Sequence, residues 1–178
     1  MKQQNYNLVR NLIVAVIGAI AIVNTALADN AKDDVLKGCY KVDRGYLAES
    51  AADTENVIGN YKFVLSQGDQ KNNHVIEGPM RGTESESGGS HLFGTKERVG
   101  TLSTQGDEFT ATSVSCFNGQ GVPLLVKGSE FLNFYKGTGI FSGLISGKVE
   151  VRGTIDFCTD PSNPIADLQV VDGEICFK

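Results

Sequence analysis

The chain has 178 residues, a formal net charge of −5 and four cysteines. Its acidic balance excludes a nucleic-acid or anionic-membrane binder, since either needs a basic patch. No apolar run after residue 28 is long enough to span a bilayer, so the processed protein is expected to have no membrane segment.

In chain order, residues 1–28 read as a cleavable signal peptide with a helical apolar core. Lys2 and Arg10 stand before the apolar run 12–23, and Ala26-Leu27-Ala28 supplies small residues for cleavage. Removing it leaves 150 residues with 14 Lys+Arg against 21 Asp+Glu, a formal charge of −7. That length suits one domain with a full core. An exported protein, secreted or periplasmic, is therefore expected.

Residues 29–37 form a polar lead-in, and 38–178 read as a single β-barrel domain. Alternation is clearest at 148–157, where Val149, Val151, Ile155 and Phe157 share one face and Lys148, Glu150, Arg152 and Asp156 the other. Weaker strands are predicted at 39–47, 57–66, 74–80, 98–104, 108–116, 130–135 and 170–177. Turn formers separate them, among them Ser66-Gln67-Gly68-Asp69, Gln105-Gly106-Asp107 and Asp160-Pro161-Ser162-Asn163-Pro164. Residues 83–90 read as a mobile loop that also carries His91 at its end. Short strands at this spacing indicate an all-β antiparallel barrel or sandwich.

An even cysteine count in an exported chain reads as two disulfides. Cys39, Cys116, Cys158 and Cys176 allow three pairings, of which Cys158–Cys176 with Cys39–Cys116 is the one favoured here. Strand parity places all four on the polar face, outside the barrel. No Cys-x-x-Cys spacing points to zinc or redox chemistry.

Two phosphate-binding motifs fail on context. Residues 137–143 have glycines at G-x-G-x-x-x-G without a strand–helix unit, and Gly143–Lys148 lacks the length and the Ser/Thr of a phosphate loop. Gly137, Thr138, Gly139, Phe141 and Gly143, followed by strand 148–157, instead match a G-[ST]-G-x-[FY]-x-G turn. That segment, 134–153, resembles the barrel family of allene oxide cyclases and dirigent proteins. The resemblance implies an eight-stranded antiparallel barrel with an apolar cavity, often trimeric, so a homo-oligomer is an expectation. Cyclases of the family close a ring on an unstable fatty-acid epoxide, and dirigent proteins direct radical coupling. The cyclases' polar pocket residues do not map onto this chain.

His74 and His91 are the only histidines, and both are expected to be solvated. Ser90-His91 is no nucleophile pair, because neighbours on a strand point opposite ways and no G-x-S-x-G is present. A metal set of His74, Glu77 and His91 has no ligand spacing behind it. Asp43, Glu49, Asp53 and Glu55 read as a solvated acidic loop rather than a hydrolase pair. Phe131, Phe134, Tyr135, Phe141 and Phe157 read as core, with Phe134, Phe141, Val151 and Phe157 pointing inward.

These readings converge on a non-catalytic exported barrel that binds a small apolar molecule or a partner protein. Asn133, Phe134, Tyr135 and Phe141 are the candidate ligand-binding residues. No catalytic residue, metal or cofactor is assigned. One alternative is a cyclase or isomerase at the barrel mouth, needing a buried polar group such as Asn133 or Tyr135. The other is a secreted inhibitor that inserts the 83–91 loop into a host enzyme.

Overall fold

The computed structural model describes residues 35–51, 56–68, 73–83, 88–121, 123–159 and 165–178. The signal peptide, most of the lead-in and of the 83–90 loop, Asp53 and Glu55, and the turn at 160–164 lie outside these residues. Nine antiparallel strands follow in order: β1 Gly38–Ala51, β2 Asn56–Ser66, β3 His74–Thr83, β4 Ser90–Gly94, β5 Gly100–Thr104, β6 Glu108–Phe117, β7 Pro123–Gly139, β8 Leu144–Asp156 and β9 Ile165–Phe177. No helix occurs among the described residues.

Alternating side chains drive closure. Tyr61, Phe63 and Leu65 of β2, Phe93 of β4, Leu102 of β5, Leu132 and Phe134 of β7, and Val149 and Val151 of β8 are buried inside. The sheet runs β5-β4-β3-β2-β1-β9-β8-β7, and β5 pairs back onto β7 to make an eight-stranded barrel. Closure leaves these eight strands without free edges. β6 is the extra strand. It pairs with the first half of β7, while the second half of β7 pairs with β5. Most of β6 is exposed.

Two register shifts matter. One between Val42 and Arg44 moves the inward positions of β1 from Tyr40 and Val42 to Leu47 and Glu49. Another, where Val151 pairs with Val170 and Glu150 with Asp172, does the same to β9.

One barrel end is apolar. Phe141 is fully buried there with Leu36, Tyr40 and Phe177. Gly139 takes φ +58° at the tight approach to Val99, where a Cβ would collide with the Val99 carbonyl. Phe157, expected inside, is only half-buried, because β8 ends at Asp156. Of the other aromatics, Phe131 is half-buried under the Lys148 ammonium and Tyr135 is 52% exposed, since odd positions of β7 face outward there.

The disulfides are Cys39–Cys176 and Cys116–Cys158, which corrects the favoured pairing. Cys39 and Cys176 face each other because the first and last strands pair directly within the sheet. Cys176 also lies opposite Ser146 near the start of β8, whereas Cys158 follows its end, so these two cannot meet. Cys116–Cys158 ties β6 to the segment after β8. All four cysteines do lie outside the core.

Candidate functional site

The end of the barrel opposite Phe141 holds charge. His91 shares the parity of Phe93 on the short strand β4, so its ring points inward and is fully buried. This corrects the expectation of a solvated histidine in a loop. The missed element is β4 itself, five residues hidden behind Gly88-Gly89.

Asp107 stands in the β5–β6 turn, held by paired backbone hydrogen bonds with Gly89 of 2.8 and 2.9 Å. Its Oδ2 lies 2.8 Å from His91 Nδ1 and accepts the Thr104 hydroxyl. Its Oδ1 accepts the Asn133 backbone N–H at 2.8 Å. The His91 backbone N–H donates to Thr104 Oγ1 at 2.8 Å. Two further acids enter from the walls. Glu130 of β7 places Oε1 3.9 Å from Nδ1, and Glu49 of β1 places Oε1 3.6 Å from Nε2. Both side chains are 8% exposed. Gly82 of β3 makes the room: a Cβ there would lie 2.7 Å from His91 Cδ2 and 2.6 Å from a Val57 methyl.

Burial opposes a charged ring. The Asp107 hydrogen bond and the carboxylates of Glu130, Glu49 and Asp107 outweigh it and push the His91 pKa up to about 9. His91 Nε2 and Tyr61 Oη are buried and make no hydrogen bond with any described residue. Burial, aided by the Glu97 charge, pushes the Tyr61 phenol well above the ordinary tyrosine range. His91 Nδ1, Asp107 and Glu130 bring three potential metal-ligating atoms within 4.8 Å of one another.

On the outer wall beside this cluster lies a groove of about 640 Å³. A cross-strand row of Ile58, Arg81, Leu92 and Ser103 forms its wall, with Tyr135 beside them. Ile58 and Leu92 are each nearly half exposed. Arg81 makes no ion pair with a described residue.

The four candidate ligand residues are not brought together. Tyr135 lines the groove, and Phe134 lies in the core. Phe141 closes the far end. Asn133 supports Asp107, with its side-chain amide donating to the Gly106 carbonyl at 2.9 Å. His74, Glu77 and His91 also stay apart. His74 is exposed against Tyr40, and Glu77 pairs with Lys62 on the outside. Ser90 turns away from His91 to the Thr83 hydroxyl. Asp43 is exposed, whereas Glu49 is not. The signals for the missed cluster were the shared parities of His91 with Phe93 and of Glu130 with Leu132 and Phe134. No family model, curated protein or solved structure matches the chain.

Proposed function

We propose that this is an exported, non-catalytic binding protein whose ligand is a small molecule with an apolar body and an anionic end. The carrying observation is Arg81, set between the exposed Ile58 and Leu92 in a groove edged by Tyr135. Ile58 and Leu92 expose apolar surface on either side of Arg81, a pairing of apolar and charged groups that suits a binding surface. A guanidinium is the side chain best shaped to fork a carboxylate or sulfonate. The two disulfides are consistent with an oxidising compartment outside the cytoplasm. The N-terminal leader and the likeness of 134–153 to barrels that take small apolar molecules support the same reading. The ligand lies on the wall because Tyr61, Phe63, Phe93 and Phe134 meet across the interior.

The cyclase reading has weaker support. Tyr135 faces outward, the Asn133 amide is committed to Gly106, and the His91 ring is shut from solvent.

The test is titration with 1-anilinonaphthalene-8-sulfonate, an apolar body bearing an anion, followed by competition with long-chain carboxylates. Saturable binding by the folded protein is expected, weakened about tenfold or more in Arg81→Gln, the scale of one lost charge-assisted hydrogen bond. Binding unchanged in both Arg81→Gln and Leu92→Asn would place the ligand elsewhere.

A further inference from the structure

We propose that the buried end of the barrel is a divalent-metal site, with His91 Nδ1, Asp107 Oδ2 and Glu130 Oε1 as its protein ligands. The three residues come from β4, the β5–β6 turn and β7, so only the closed barrel assembles them. Two ligand atoms at right angles, each about 2.1 Å from a metal, lie about 3 Å apart. Nδ1 and Oδ2 now share a hydrogen bond of 2.8 Å, which an ion would replace by opening the pair slightly, and Glu130 Oε1 stands 3.9 Å from Nδ1 to complete the set.

A second observation comes from the other side of the ring. His91 Nε2 is buried without a hydrogen-bond partner and faces Glu49 Oε1 at 3.6 Å. A metal-ligating histidine usually presents its second N–H to a carboxylate, which fixes the ring's tautomer and aim. Glu49 stands where that acceptor belongs. It is a positioning residue, turned inward by the β1 register shift. Asp107 is equally prepared, because Thr104 and the Asn133 backbone hold its carboxylate in place.

Three acids and an imidazole in an interior shielded from water are costly to keep as they are. A divalent cation satisfies several carboxylate oxygens at once, and on binding it displaces the Nδ1 proton to solvent. One imidazole with two carboxylates suits the manganese-to-zinc range of first-row ions. His91 and Thr104 also border the outer groove. The inference is independent of the small-molecule reading, since ion uptake and probe binding are measured separately.

The experiment uses protein purified from expression of the full chain, stripped with EDTA, dialysed and titrated calorimetrically with MnCl2 and with ZnCl2. One ion per chain is expected, with Glu130→Gln weakening binding at least tenfold and Glu49→Gln by about 10- to 100-fold. At a hundredfold excess over Kd, the bound ion should raise Tm by roughly 5–10 °C. Bound Mn2+ should broaden the amide signals of His91, Thr104 and Asn133 before any others, a readout on the parent chain that needs no folded variant. Absence of uptake, unchanged affinity in folded Glu130→Gln, or broadening centred on exposed acids such as Asp172 and Glu174 would each overturn the site.

Discussion

The two ends of this barrel are closed by opposite chemistry. At one, Leu36, Tyr40, Phe141 and Phe177 exclude water with rings and aliphatic carbon. At the other, Glu49, His91, Asp107 and Glu130 occupy equally buried positions with ionisable groups. Strand alternation turns Tyr40, Phe177, Glu49, His91 and Glu130 inward whatever their chemistry, while Leu36, Phe141 and Asp107 come from segments outside the strands. The apolar end stabilises the fold by burial alone. The charged end carries a desolvation cost, which the Asp107 hydrogen bond and the facing carboxylates offset at His91.

The largest effect should come from opening the apolar end. Phe141→Ala should cost about 3–5 kcal/mol in urea unfolding, through lost burial and the cavity left behind. A negligible loss would mean that Phe141 does not close that end. Next is the Cys39–Cys176 bridge, which pins β1 to β9 beside Tyr40 and Phe177. Replacing both cysteines with serine should cost about 2–4 kcal/mol. The cost should exceed that of removing Cys116–Cys158, because the first bridge spans 137 residues and the second 42. Equal costs would show that the protruding β6 matters as much as closure.

A smaller change presses on the charged end. Gly82→Ala sets a methyl against the His91 ring and should destabilise by about 1–3 kcal/mol through overpacking. It should leave the apolar end unaffected, which the ring signals of Phe141 and Phe177 would report. The smallest effect lies between the ends, at Tyr61. Its phenol stays protonated in the folded state while the unfolded phenol ionises near pH 10. Its contribution is therefore fully present below pH 10 and declines above it, by up to about 1.4 kcal/mol per pH unit. Tyr61→Phe should remove that dependence in unfolding curves taken between pH 9.5 and 11.

The two ends were not equally legible in the sequence. Strand β8 and the turn with Phe141 followed from alternation and glycine spacing, which are local signals. The charged end depends on features that local pattern does not carry. β4 is too short for alternation to stand out from the glycines before it. Glu49 lies in an acid-rich stretch and turns inward only because of the shift between Val42 and Arg44. Asp107 occupies a position that any turn would give to a solvated acid. The disulfide pairing was missed for a related reason. Cys39 meets Cys176 only because the first and last strands pair with each other, and nothing near either cysteine encodes that.

His91 lies inside the barrel while His74 is exposed, and diethyl pyrocarbonate labelling of the folded protein, read by peptide mass spectrometry, separates the two. His74 should be modified readily and His91 only after denaturant is added. Modification of both histidines at the same rate in the native protein would contradict the buried cluster and everything assigned to it.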